Sequence, residues 1–389
     1  MMPTLGDYIR IKHGYAFKGD YITTEDNGIV LVTPGNFEIG GGFKERKCKF
    51  FSSDYPDEYV LSAGDLIVTM TDLSKQGDTL GYSARVPRSG RKYLHNQRIG
   101  LVDVFNPAAD KDYIYWFMRT PRYQKTIVAT ASGSTVKHTS PSRICAVEIM
   151  LPSLGVQRKI AALLSSLESK IESNKRINDN LQQQATALFS SLYDRSNTEV
   201  RFTDLIQILG GGTPKTGENT YWNGNIAFFT PKDVGTPYTL ITEKTISKEG
   251  LSHCNSRLYP VNTVFVTARG TVGKVGMSGV PMAMNQSCYA LVGKETHQLL
   301  VYFYTLKAVD RLKHKASGAV FDAITTRDFE SEQIMKLSDD DATAFLRVAE
   351  PMFQEVLNNN IENLRLSTLR DSLLPKLMSG EIDVSAVQL

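Results

Sequence analysis

The chain has 389 residues, 41% hydrophobic and 22% charged, a globular balance that excludes wholesale disorder and fibrous classes and predicts two or three domains. No apolar run approaches the roughly 18 residues of a membrane span. The start, Met1-Met2-Pro3-Thr4-Leu5-Gly6-Asp7, lacks the basic and apolar regions of a signal peptide, so a soluble cytoplasmic protein is expected. The net charge of +3 divides into +3 over 1–150, +1 over 151–199, +4 over 200–338 and −5 over 339–389. Two mildly basic blocks permit nucleic-acid binding without demanding it.

In chain order, short β-branched and aromatic runs at 29–32, 65–69 and 99–105 predict strands, separated by glycine-rich turns such as Gly40-Gly41-Gly42. A helix is expected over 113–127, with Tyr115, Trp116, Phe117, Met118 and Tyr123 in the core rather than stacking on bases. After Pro152, apolar or small residues at Ile160, Leu164, Leu167, Ile171, Asn174, Asn178, Leu181, Ala185, Leu188 and Leu192 step by four and three, a heptad seam. Strands recur at 225–229, 263–267 and 287–292, with Gly210-Gly211-Gly212 as a turn and a helix over 299–315. A second seam runs through Phe345, Ala349, Met352, Val356, Asn359, Asn363, Leu366, Arg370, Leu373 and Leu377. Ser338-Asp339-Asp340-Asp341 is a capped start for it, and Pro351 predicts a kink or a delayed start. The four cysteines, Cys48, Cys145, Cys254 and Cys288, are scattered and read as buried thiols in a reducing compartment.

The two halves are copies. Leu5-Gly6-Asp7-Tyr8-Ile9-Arg10-Ile11 recurs as Phe202-Thr203-Asp204-Leu205-Ile206-Gln207-Ile208, an offset of 197 shared by Val32-Thr33-Pro34 and Phe229-Thr230-Pro231. From Ala131-Ser132-Gly133 against Ala316-Ser317-Gly318 the offset is 185, ungapped through Leu192 against Leu377. This is a tandem duplication of a globular part and a helix. Asn174 and Asn178 in one seam, and Asn359 and Asn363 in the other, are expected to meet across an antiparallel pair and fix its register. A helix over 157–193 would be roughly 55 Å long.

Enzyme signatures are lacking. Gly270-Thr271-Val272-Gly273-Lys274 does not have the spacing of a phosphate loop, and the six histidines are dispersed. No Asn-Pro-Pro-aromatic motif of amino-methyltransferases occurs, so a stand-alone enzyme is not expected. The better candidates are polar loops repeated in both halves. Asn96, Gln97 and Arg98, with Arg269, Lys274, Asn285 and Gln286, carry the side chains suited to base edges. Lys75, Lys137, His138, Lys215 and Lys232, with Thr213 in its glycine loop, stand where phosphate contacts are natural. The Asn-Gln pairs have a second reading, as amides that cap strand ends.

The sequence resembles the specificity subunits of Type I restriction–modification systems. The resemblance rests on Gly211-Gly212-Thr213-Pro214, Tyr221-Trp222-Asn223-Gly224-Asn225-Ile226, Thr230-Pro231-Lys232-Asp233, Ala268-Arg269-Gly270-Thr271-Val272-Gly273-Lys274 and Asn285-Gln286. Leu151-Pro152-Ser153-Leu154 with Gln157-Arg158-Lys159-Ile160-Ala161, and Leu373-Leu374-Pro375-Lys376-Leu377-Met378-Ser379-Gly380-Glu381-Ile382, extend it. The first half departs, with Gly14-Tyr15-Ala16-Phe17 against the Gly-Gly-Thr-Pro pattern.

The resemblance implies an α+β fold of two β-rich target recognition domains with two long antiparallel coiled-coil helices, pseudo-two-fold symmetric. The expected boundaries are 1–152 and 197–338 for the recognition domains, 153–196 and 339–389 for the helical spacers. It also implies a non-catalytic chain that reads a split double-stranded DNA target. Two modification subunits would methylate adenine with S-adenosylmethionine, and restriction subunits would use ATP and Mg. The helices would act as a ruler for the spacer. Independently of the resemblance, the charge of −5 over 339–389 leads us to expect the second helix to face protein partners rather than phosphate. The competing readings are a coiled-coil transcriptional adaptor or repressor without methyltransferase partners, and a protein–protein scaffold with no DNA contact.

Overall fold

A computed structural model describes residues 2–235, 237–315 and 323–385. The match proposed from sequence at Ala316-Ser317-Gly318 lies outside the described residues. The chain forms two units, Met1–Ser169 with Leu366–Leu389, and Lys170–Arg365.

In the first unit, a four-stranded antiparallel sheet runs in the order Ile9–His13, Ile99–Val104, Leu66–Thr69, Ser83–Arg85. A smaller sheet of five short strands contains Ile29–Val32 paired in parallel with Lys92–His95. Ile67, Ala84 and Ile99 from the larger sheet pack against Val30, Val32 and Tyr93 of the smaller one. The opposite face, with Ile9, Leu66, Val68 and Val102, buries Tyr113, Trp116, Tyr123 and Ile127 together with Ile160, Leu164, Leu374 and Leu377.

The expected helix over 113–127 is two helices, Lys111–Phe117 and Pro121–Ala129. Pro121 has no N–H to continue the first helix, and Thr120 caps the second, its hydroxyl accepting from Tyr123 N. Tyr115, Trp116, Met118 and Tyr123 are buried, as expected of core side chains.

The second unit repeats the plan. Ile206–Gly210, Cys288–Gly293, Val264–Thr267 and Val275–Ser278 follow the same order in a sheet that gains Tyr238–Thr239 at its edge. Trp222–Phe229 pairs in parallel with Met282–Met284, as Ile29–Val32 does with Lys92–His95. The helix Gln298–Lys315 takes the place of the two short helices. Phe303 stacks on Phe189 at 4.9 Å, and Phe345 meets Phe189 edge-on at 5.5 Å. Strand Thr198–Arg201 pairs with Gln333–Lys336 and ties the start of the globular part to its end.

The long helices are Leu154–Tyr193 and Asp339–Ser379. The second starts where Ser338 Oγ accepts from Asp341 N (3.1 Å), with three aspartates in the positive first turn. It therefore does not wait for Pro351, correcting the delayed start. The proline removes one hydrogen bond from an exposed face, while Phe345, Ala349, Phe353 and Val356 are buried on the other.

Within the second unit the helices run antiparallel. Asn174 Nδ2 donates to Asn363 Oδ1 (3.0 Å) and Glu362 Oε2 (2.6 Å), and Asn359 Nδ2 donates to Asn178 Oδ1 (2.9 Å). Asn178 Nδ2 in turn donates to Asn360 Oδ1 at 3.0 Å. Within the first unit, Gln157 is fully buried. Its amide accepts from Asp110 N (2.8 Å) and donates to Ala108 O and Pro152 O (both 2.9 Å), fastening the helix start to the globular part.

All four cysteines are free thiols, but only Cys48 and Cys288 are buried; Cys145 and Cys254 are half-buried. Burial pushes the Cys288 thiol up to about 12. Among the described residues, no helix is long and apolar enough to cross a membrane.

Candidate DNA interface

In the first unit the sheet register decides where the candidate residues go. His13 pairs with Gly100, and Ile99 pairs with Thr69, so the end of the first strand, the start of Ile99–Val104 and the end of Leu66–Thr69 share one end of the sheet. Segments 14–17, 96–98 and 70–80 emerge there. Tyr15 N donates to His95 O (2.8 Å), Met70 N donates to Arg98 O (2.9 Å), and Thr71–Asp72 pairs with Lys137–His138. Four segments thus lie side by side, bringing Asn96, Gln97, Arg98, Lys75, Lys137 and His138 to one end.

The second unit builds the same ladder. Gly212 N donates to Met284 O (3.1 Å), Ala268 N to Ser287 O (2.8 Å) and Ile324 N to Ala268 O (2.9 Å). Arg269 bridges Ala323 as Thr71 pairs with His138. Thr213, Lys215, Arg269, Lys274, Asn285 and Gln286 converge there. Asn285 N donates to Phe229 O (3.0 Å), which adds the turn carrying Lys232.

The local chemistry separates scaffold from free side chains. Asn96 Oδ1 accepts from Arg98 N (3.0 Å), and Asn285 Oδ1 accepts from Ser287 N (3.1 Å). Each asparagine therefore caps the turn into its strand, the second of the two readings. The residues beside them, Gln97, Arg98 and Gln286, are exposed, and Thr213 donates its hydroxyl hydrogen to Gln286 Oε1. Gly14 and Gly211 explain why these turns need glycine. A Cβ on Gly14 would lie 2.3 Å from both Asn96 O and His95 O; on Gly211 it would lie 2.2 Å from Asn285 O. The departure at Gly14-Tyr15-Ala16-Phe17 thus keeps the glycine that packing against the capping turn requires.

The loop 70–80 is organised by Asp72, which accepts from Ser74 N at 2.6 Å and from Thr79 through both its backbone N–H and its hydroxyl. Burial opposes ionisation of Asp72, but the hydrogen bonds from Thr79 and Ser74 outweigh it and hold the carboxyl below its usual range. The shorter loop of the second unit is closed by Thr267, whose hydroxyl accepts from Lys274 N at 2.9 Å. The two loops turn through equivalent glycines: Gly81 N donates to Thr69 O (3.0 Å) and Gly273 N to Thr267 O (2.8 Å), at φ of 81° and 74°.

Lys75, Arg98, Lys215, Arg269 and Lys274 are exposed, and Lys137 is half-buried. Among the described ion pairs none involves these six, whereas Lys232 Nζ lies 3.5 Å from Glu243. His138 Nδ1 is 3.1 Å from Thr71 Oγ1. His95 is fully buried with Nε2 on Ile99 O (2.8 Å), and burial holds it below the ordinary imidazole range. Sequence reasoning missed Tyr15, an exposed aromatic in the first ladder, for want of a counterpart in the second half.

Two stretches of the chain, 1–183 and 195–336, match the model of the Type I restriction modification DNA specificity domain. The chain belongs to this family. It is 23% identical over 456 aligned positions to the Type I restriction enzyme HindI specificity subunit of Haemophilus influenzae, covering 89% of this chain and 99% of that one. The MjaIX specificity subunit of Methanocaldococcus jannaschii is 22% identical over 300 positions, covering 70% and 69%. The crystal structure of a Type I restriction–modification S subunit from M. genitalium shares the fold, with a TM-score of 0.62 at 14% identity over 97% of this chain and 95% of that one. The two matched stretches include the two globular copies, the first also running into the helix Leu154–Tyr193, and each copy brings its candidate residues to the same end of its larger sheet.

Proposed function

We propose that each sheet end reads one half of a split double-stranded DNA target, so that the chain directs adenine methylation and restriction carried out by other subunits. The observation that carries this reading is the convergence, in both copies, of exposed amides and of cations that form no ion pair among the described residues, on a four-segment ladder whose backbone is fixed by internal hydrogen bonds. Gln97, Arg98, Arg269 and Gln286 are the base-edge candidates, with Lys75, Lys137, His138, Lys215, Lys232 and Lys274 toward phosphates. Asn96, Asn285 and Thr213 hold the reading loops in place.

Two modification subunits would supply S-adenosylmethionine chemistry and the catalytic residues, and restriction subunits would add ATP- and Mg-dependent cleavage. The long helices would serve as docking surface and set the spacer between half-sites. Deleting one heptad from each should change the accepted spacer length without changing the half-site sequences.

The deciding experiment maps methylated adenines across the genome of a strain with and without the protein, then with Arg98→Ala and Arg269→Ala. Each variant should relax one half-site only, at a cost of about 1–3 kcal/mol per lost bidentate contact. Purification should recover two copies of an adenine methyltransferase. A lone, fully functional binder, or a methylation pattern indifferent to the protein, would overturn the reading.

A further inference from the structure

Position 15 in the first copy and position 212 in the second are structurally the same place. Each follows the glycine pressed against the capping turn, and each donates its N–H to the residue before the capping asparagine, His95 O at 2.8 Å and Met284 O at 3.1 Å. The second copy can hold no side chain there, because a Cβ on Gly212 would fall 2.7 Å from Asn255 N and 3.0 Å from its Cα. In the first copy the place is open and carries a tyrosine.

Tyr15 combines exposure with fixation. It is 42% exposed. Its N–H is bonded to His95, and its carbonyl accepts from Gln97 N (2.9 Å) and Phe17 N (3.2 Å). Its ring rests edge-on against Phe17 at 5.1 Å and lies tilted, at 44°, against Tyr59 at 5.3 Å, with Lys12 Nζ 5.1 Å from the Tyr59 centroid. A ring held this way loses little side-chain freedom on binding. It stands beside Gln97, two residues beyond the basic strand end at Lys12 and His13, and folding leaves it partly uncovered.

We propose that Tyr15 is a specificity-determining residue of the first domain, making apolar contact with the 5-methyl group of a thymine in its half-site. The choice follows from groove chemistry: in an intact duplex the base faces are stacked away, and the thymine methyl is the one apolar group exposed on the major-groove edges. The proposal rests on the DNA-reading function above. The second domain, with glycine at this place, makes no such contact.

The test uses the assembled complex with its modification subunits and a duplex carrying the target identified by genome-wide methylation mapping. Each thymine is replaced in turn by uracil, which differs only in lacking the methyl group. At one position the wild-type complex should lose about fourfold in methylation kcat/KM, the worth of one buried methyl. Tyr15→Phe should keep that loss, since the hydroxyl takes no part, and Tyr15→Ala should abolish it. The proposal is overturned if no uracil substitution slows the wild type, or if the sensitivity survives in Tyr15→Ala. Should Tyr15→Ala fail to assemble, Tyr15→Ser takes its place under the same criterion. A wild-type complex that methylates no specific site would instead sink the DNA-reading function itself.

Discussion

Gly210 and Gly211 are neighbours in the chain, and replacing each with alanine should have opposite effects. Gly210 ends the strand Ile206–Gly210, and a Cβ there meets nothing within 4 Å. Gly210→Ala should be neutral or stabilise by about 0.4–1 kcal/mol, because alanine restricts the unfolded chain. A Cβ on Gly211 would lie 2.2 Å from Asn285 O and 2.5 Å from Met284 O. Both obstacles are backbone atoms in the turn that carries Gln286, so no rotamer change relieves them, and the chain must move by about 1 Å. Overpacking of this kind costs about 1–3 kcal/mol. A difference near 3 kcal/mol between the neighbours corresponds to about 6–12 °C in the Tm of a unit this size. Calorimetry of the two variants measures it, and methylation mapping should show relaxed discrimination in one half-site for Gly211→Ala alone. If the two variants melt within about 2 °C of each other, the close approach is not a constraint and the explanation of the glycine is wrong.

Three further outcomes are expected. Asp72 has its carboxyl held below the usual range, so its contribution is full above about pH 4 and disappears as pH falls; Asp72→Asn should flatten the acid side of the stability profile measured by denaturant titration. Asn359→Leu should cost about 1–3 kcal/mol by leaving Asn178 without its buried partner, and adding Asn178→Leu should recover part of that loss in a double-mutant cycle. Arg119 is buried and donates to Gly40 O (2.8 Å) and Glu168 Oε1 (2.5 Å), so Arg119→Met should destabilise the first unit by about 3 kcal/mol, with Glu168→Gln relieving part of it.

The long helices were legible because a heptad pattern is a local signal, repeated over ten positions in each copy. The break at Thr120-Pro121 was equally local, a cap followed by a proline, but the aromatic cluster around it reads as one continuous apolar face. The strand Ile9–His13 is harder: Arg10, Lys12 and His13 are exposed along it, and only pairing with Ile99–Val104 makes it a strand. The assembly of the site was not legible at all. Segments 14–17, 70–80, 96–98 and 137–138 are far apart in sequence, and only the sheet register sets them side by side.

Recurrence in both copies points to Asn96 and Asn285 as base-reading residues, yet the Oδ1 of each caps the turn on which the neighbouring side chains stand. Gly14 with Gly211, Gly81 with Gly273, and the Thr33–Asn36 and Thr230–Asp233 turns, closed at 2.9 and 2.8 Å, are likewise shared scaffold. Two domains that read different sequences on one scaffold must keep what shapes the backbone and change what faces the bases. The differences fall where that argument places them: Tyr15 against Gly212, Gly35 against Lys232, and a long loop pinned by Asp72 against a short one carrying Arg269. In a duplicated reader, then, shared residues mark the frame, and divergence at equivalent backbone positions is the stronger pointer to specificity.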